Sequence, residues 1–329
     1  MHCRHVGFSV LCLVLSATCS SRRPAFGQFS TYGAWSIGPY QITESQQKGE
    51  LDEDVLRVYR AGQTNFELRN TGLRINPSEA FPNRRPPRVA RPDSEAPEDG
   101  VYPYAPVLQR DGQLDSSSLG LEFPAIVVQG YSGGAHCCST FHVLVFGPVF
   151  RAIDPVFAGS VESAEFVANR GTHSLTMEVA DPSFEYWEGS CLGDSPFPTI
   201  RLRLDLDSNR FLPDPSLMRT AVPNDLELLK RARDAQKEHS ARLERREAGV
   251  PGALAHEAFS LIYQGHLPVA REFLTNAWAG SVASREKYWT GVLDAIRKLS
   301  PYWPAVADVN GIPTSDHERN LRRLFPQEK

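Results

Sequence analysis

The chain has 329 residues, 41% of them hydrophobic and 10% aromatic, enough apolar mass for two packed domains and too much for a disordered chain. Lys and Arg number 35 against 39 Asp and Glu, a net charge of −4. With no basic surplus there is no electrostatic footprint for nucleic acid, so no nucleic-acid partner is expected.

At the N-terminus, Arg4 precedes an uncharged run from Val6 to Ser21, followed by Arg22, Arg23 and Ala25-Phe26-Gly27. A basic start, a short apolar body and a small-x-small site predict a secretory signal peptide over 1–27, cleaved after Gly27. Cys19 offers a weaker lipoprotein reading. The run is too short for a membrane span, and no transmembrane segment is expected in the mature chain. Arg4, Arg22 and Arg23 would leave with the leader, so 32 basic residues would face 39 acids, a net of −7. A periplasmic or secreted location follows as the expectation.

Residues 28–76 alternate and turn, with strands at Leu56–Arg60 and Asn65–Arg69 around Ala61-Gly62-Gln63. Residues 77–106 hold eight prolines, with arginines in the first half and acids in the second, and read as a long solvated loop. From 121 to 212 the chain reads as consecutive strands. Ala125-Ile126-Val127-Val128 is continuously apolar, as in a strand buried on both faces. Phe141–Phe146 and Ser174–Ala180 follow. Ile200–Leu206 alternates, with aliphatics on one face and Arg201, Arg203 and Asp205 on the other. Asp207-Ser208-Asn209 reads as a turn; Asp205-x-Asp207-x-Asn209 starts like a calcium loop but has Arg210 where glycine is needed.

At Pro223 the period changes to 3.6. Asn224 or Asp225 caps a helix to about Glu247, with Leu226, Leu229, Ala232, Gln236 and Leu243 on its apolar stripe and a densely charged opposite face. Pro251, Gly265, Pro268 and Gly280 punctuate helices near 251–264, 266–279 and 284–299. Leu261–Trp278 matches half a tetratricopeptide unit at Gly265, Ala270, Phe273 and Ala277, but one partial unit is better read as a helical hairpin. The fold class is therefore α+β: an antiparallel β-rich domain over 28–222, then a small helical domain over 223–329 that packs largely on itself.

Gly130-Tyr131-Ser132-Gly133-Gly134-Ala135-His136-Cys137-Cys138, with His142 just beyond, is the candidate functional box. Gly130-x-Ser132-x-Gly134 matches a nucleophile elbow, which would make Ser132 the nucleophile, with Asp194 or Asp205 and His256 or His266 downstream. An elbow needs a helix next, whereas Ser139–Phe146 reads as a strand. A trypsin-like reading fails because the mature chain has no histidine before His136. His136, Cys137 and His142 offer an alternative metal set. The simplest reading is a glycine-rich hairpin turn fastened by a disulfide. Cys137, Cys138 and Cys191 are the only cysteines beyond residue 27. In an oxidising compartment Cys138–Cys191 is the expected bridge, with Cys137–Cys138 as its rival. Glu185-Tyr186-Trp187-Glu188 puts aromatics beside acids, as in the lining of a carbohydrate or peptide groove.

The stretch Tyr131 to Thr140 resembles a box of uncharacterised exported bacterial proteins. Ala258–Trp278 and Ser300-Pro301-Tyr302-Trp303 are similar to the C-terminal part of some of them. The resemblance spans 120–305 and implies export, with no activity, cofactor or catalytic residue attached. Taken together, the sequence leads to a non-enzymatic envelope protein, without a cofactor, that binds a protein, peptide or glycan. The alternative is a serine hydrolase using Ser132, Asp194 and His256.

Overall fold

The computed structural model describes residues 33–47, 53–75, 119, 121–132, 138–160, 164–169, 173–247 and 249–315. The signal-like N-terminus, the proline-rich 77–106 stretch and residues 133–137 of the box lie outside them.

The architecture is α+β. A first sheet is an antiparallel meander of β1 (Gly33–Ile37), β2 (Tyr40–Gln47), β3 (Glu53–Arg60) and β4 (Gln63–Asn70). The chain crosses at Thr71 into a second antiparallel sheet of β5 (Gly72–Ile75), β6 (Ala125–Tyr131), β7 (Ser139–Phe146) and β8 (Phe150–Ala152), with β9 (Val156–Gly159) also paired to β7. The third sheet is another meander: β10 (Ala164–Asn169), β11 (Ser174–Ala180), β12 (Thr199–Asp205) and β13 (Arg210–Pro213). Helices follow: α1 (Pro215–Met218), α2 (Asp225–Arg245), α3 (Gly252–Tyr263), α4 (Leu267–Ala277), α5 (Val282–Leu299) and α6 (Trp303–Val309).

The second sheet is the middle layer, which explains its unbroken apolar runs. Ile126, Val128, Leu144 and Phe146 pack with Tyr40, Ile42, Leu56 and Val58 of the first sheet. Their neighbours Ala125, Val127, Val143 and Val145 point the other way, into a larger core. A strand covered on both faces has no polar face to show, so the alternation is lost. At the edge of the layer, the Tyr40 hydroxyl donates to the Gly147 carbonyl (2.8 Å) and Arg60 to that of Pro148 (2.6 Å).

The strand expected at 200–206 is β12. Ile200, Leu202 and Leu204 are buried, while Arg201 pairs with Glu178 (2.8 Å) and Arg203 with Asp214 (2.6 Å) on the reverse face. Asp205 accepts from the Asp207 amide and the Ser208 hydroxyl, and Asn209 is left-handed (φ 53°). The calcium-like triplet is thus used as a side-chain-stabilised turn.

Asn224 caps α2 through its Oδ1, which accepts from the amides of Leu226 (2.9 Å) and Glu227 (3.4 Å). Of the stripe that the periodicity suggests for α2, only Ala232 is buried. Leu226, Leu229 and Leu243 are 78%, 38% and 47% exposed, and the buried positions are Ala232, Ala235 and His239. Small residues at i and i+3, Ala232 and Ala235, let α2 lie close on its neighbours, so the leucines rotate outward.

The secondary structure changes character at 223, but the core does not. One continuous cluster holds Leu175, Met177, Ile200 and Phe184 together with Phe259, Tyr263, Phe273 and Val306. The Phe184 ring lies 4.7 Å from that of Phe259. We therefore expect a fragment of residues 224–329 to show helical circular dichroism without a cooperative thermal transition, because Phe259 and Tyr263 would lose their β-side partners. A sharp melt of the isolated fragment would show that the helices stand alone.

Candidate functional site

Two places gather chemistry. The first is the end of the layer between the first and second sheets, next to the box. β6 and β7 form a hairpin in which Tyr131 pairs with Ser139. The Ser132 amide donates to the Cys138 carbonyl (3.2 Å), and the Cys138 amide donates to Ser132 Oγ (2.9 Å). Ser132 thus closes a hairpin. The segment after it is strand β7 and not the helix that a nucleophile elbow requires. A Cβ on Gly130 would fall 2.5 Å from Asn70 Nδ2, so the first glycine of the box allows close approach of β4.

His142 shares its parity with Leu144 and Phe146, and so faces the first sheet. Burial pushes its imidazole down to about 4, which keeps the ring neutral. On the facing sheet, Glu44 continues the Tyr40–Ile42 face and Asp54 the Leu56–Val58 face. Burial first, and then the Asp54 charge, push Glu44 up to about 7. Asp54 also accepts from the Leu73 amide (3.1 Å), stitching β3 to β5.

His136 and Cys137 of the metal alternative, with Gly133 and Gly134, lie outside the described residues. Among the described residues no three His, Cys, Asp or Glu side chains are placed to share a metal ion.

The expected Cys138–Cys191 bridge is not formed. Cys191 is a free, exposed thiol. The Cys138 sulfur is disulfide-bonded, but not to Cys191. Gly189 and Gly193, on either side of Cys191, belong to tight turns: 3-10 turns occupy Trp187–Gly189 and Leu192–Asp194, after another at Pro182–Phe184. The Ser195 hydroxyl donates to the Cys191 carbonyl (3.0 Å). An ion pair between Asp194 and Arg242 of α2 holds that loop against the helical side.

Trp187 and Glu188 line a small cavity of about 60 Å³ beside Asp194 and Arg242. The Trp187 ring packs edge-on against Phe259 (5.1 Å) and Tyr288 (5.6 Å) inside a chain of aromatics that continues through Trp278 to His239. Glu185 accepts from the amide and hydroxyl of Ser160, while Tyr186 and Glu188 stand in left-handed backbone (φ 56° and 51°). The Glu185–Glu188 stretch is therefore a loop folded down onto the helices.

The second place is a groove of about 570 Å³ between α2 and α3. α2 lines it with Arg231, Asp234, Ala235 and Glu238, and α3 with Ala253, His256, Glu257 and Ser260. Both sets are spaced i, i+3, i+4, i+7, one face of each helix. Phe273 of α4 lies at the base, and Phe197 and Thr199 close the side toward β12. Arg231 spans the groove to hold Glu257 with both carboxylate oxygens (3.0 and 2.9 Å). His256 is half-buried: burial lowers its imidazole, while a hydrogen bond to the Gly193 backbone and the Asp194 charge oppose that.

Asp194 and His256 of the hydrolase alternative are thus neighbours, but Ser132 lines neither of the two cavities that hold them. Asp194 is also committed elsewhere. It pairs with Arg242 in the last turn of α2 (3.0 Å) and lies so close to the start of α3 that a Cβ on Gly252 would sit 2.7 Å from its Oδ1. A carboxylate there complements the positive end of α3. The groove residues on α2 were visible in the sequence only as part of a charged face, since nothing local says which part of that face borders a neighbour.

The fold defines an α+β protein of three antiparallel sheets and a helical layer joined by shared cores. Comparison of the chain with known protein families, with curated proteins and with solved structures finds no match. Among the described residues no helix is long and apolar enough to cross a membrane.

Proposed function

We propose that this is an exported, envelope-located binding protein whose ligand seat is the α2–α3 groove. The observation that carries the reading is the groove itself: about 570 Å³, with an aromatic base and a rim of charged and hydroxyl side chains. That size lies within the range of sites that enclose one compact ligand. The signal-like N-terminus supports export. Strand β7 directly after the box supports the binding reading over the hydrolase alternative.

The test is to fill the groove. Ala253 is exposed at its edge, so Ala253→Trp adds bulk there without entering the core. Material captured from envelope extracts by the wild-type protein should be retained at least ~10-fold less by the tryptophan variant, the loss expected when a central contact surface is blocked. Equal retention by both proteins would move the seat elsewhere.

A further inference from the structure

We infer that the groove receives a peptide segment carrying a basic side chain beside an apolar one; this rests on the binding reading above. Three carboxylates, Asp234, Glu238 and Glu257, line the groove against one cation, Arg231. That cation is already engaged, since both of its hydrogen bonds across the groove go to Glu257. Arg242 beside Glu238 (3.3 Å) is shared with Asp194 at 3.0 Å. Asp234 has an ion pair with Lys237 at 3.7 Å, both side chains largely exposed. Exposed pairs of that kind are worth little and are readily exchanged for another cation. With Glu257 held by Arg231, the groove offers Asp234 and Glu238 to an incoming ammonium or guanidinium and disfavours an anion.

The lower part of the groove selects for the apolar neighbour. Its accessible apolar surface comes from the partly exposed Phe197 and the exposed Ala253, over the buried Ala235 and Phe273. Phe273 is buried, so its own ring offers no flat platform on which a sugar could stack. His256, tied to the Gly193 backbone and lowered by burial, adds no positive charge near neutral pH.

The experiment uses the full mature chain and fluorescein-labelled hexapeptides followed by fluorescence polarisation. One has the core Leu-Lys-Arg-Phe; in two others the central pair is Glu-Glu or Gln-Gln. A chito-oligosaccharide is titrated in parallel by calorimetry. The basic peptide should bind at least ~10-fold tighter than the other probes and weaken several-fold between about 50 and about 300 mM salt, as screened charge pairs do. Asp234→Lys/Glu238→Lys should weaken it at least ~10-fold, the milder Asp234→Asn/Glu238→Gln should weaken it less, and Ala253→Trp should abolish binding. If the acidic or neutral peptide or the sugar binds as tightly, and Ala253→Trp abolishes it, the cationic assignment falls while the groove remains a binding site. If no probe shows binding sensitive to Ala253→Trp, the groove reading falls with it.

Discussion

Asp181→Ala is expected to destabilise the protein by about 3–5 kcal/mol, the cost of leaving buried hydrogen-bond donors without an acceptor. Asp181 is completely buried at the joint between β11 and the helices. Its Oδ2 accepts from the Tyr263 hydroxyl of α3 (2.6 Å) and from Ser300 Oγ just after α5 (2.5 Å), and its Oδ1 accepts from the Ser183 amide (3.0 Å). Burial, and then the adjacent Asp181 charge, hold the Tyr263 phenol well above its ordinary range, so it remains a donor. Burial and Asp181 raise Tyr302 in the same way. One carboxylate thus gathers a 3-10 turn, α3 and the α5–α6 junction. Urea denaturation of Asp181→Ala, Tyr263→Phe and the double variant measures the effect. The double variant should cost less than the two singles added, because the phenylalanine removes a donor that the alanine would orphan. A loss below about 1 kcal/mol for Asp181→Ala would show that the network contributes little.

The second large effect is a pair of opposed pH dependences in the layer between the first two sheets. Glu44 is raised from 4.5 to about 7, so the folded state holds a proton there that the unfolded chain has released. Stability from this group is present at low pH and is lost as pH rises from 4.5 towards 7. His142 is lowered from 6.5 to about 4, so the unfolded chain takes up a proton first. Stability from this group is present above 6.5 and is lost as pH falls towards 4. Displacements of that size each correspond to roughly 3 kcal/mol across the window. Between 4.5 and 6.5 the two slopes oppose and largely offset each other. Glu44→Gln should therefore uncover a stability that rises with pH through this window, and His142→Phe one that falls. Denaturation midpoints measured at a series of pH values, each variant taken as a difference from wild type, give the two curves. Difference curves that are both flat would remove Glu44 and His142 as the titrating groups.

Much of this fold was legible because its signals are local. The alternation of Ile200 to Leu206, the turn at Asp207-Ser208-Asn209 and the Asn224 cap each depend on atoms a few residues apart, and each stands where it was expected. The apolar run at 125–128 even carried long-range information, because only a strand covered on both faces can dispense with polar residues. Short elements were not legible. The 3-10 turns between 182 and 194 and the seven-residue α6 fall below the length at which periodicity can be read.

What only the tertiary structure decided were questions of partner. Leu226 and Leu243 satisfy a helical stripe as well as Ala232 and Ala235 do, and close packing selected the alanines. Cys138 and Cys191 satisfied cysteine arithmetic, yet the loop of Cys191 folds onto the helices and its thiol stays free. Asp181 gave no local sign of its role, because its partners Tyr263 and Ser300 lie 82 and 119 residues away. The α2–α3 groove likewise exists only once two helix faces are set side by side. Backbone propensity and burial pattern act over one or two turns of chain and can be read from neighbours; the choice among equally apolar or equally polar faces is made by packing between distant segments, and that is where the candidate site of this protein arises.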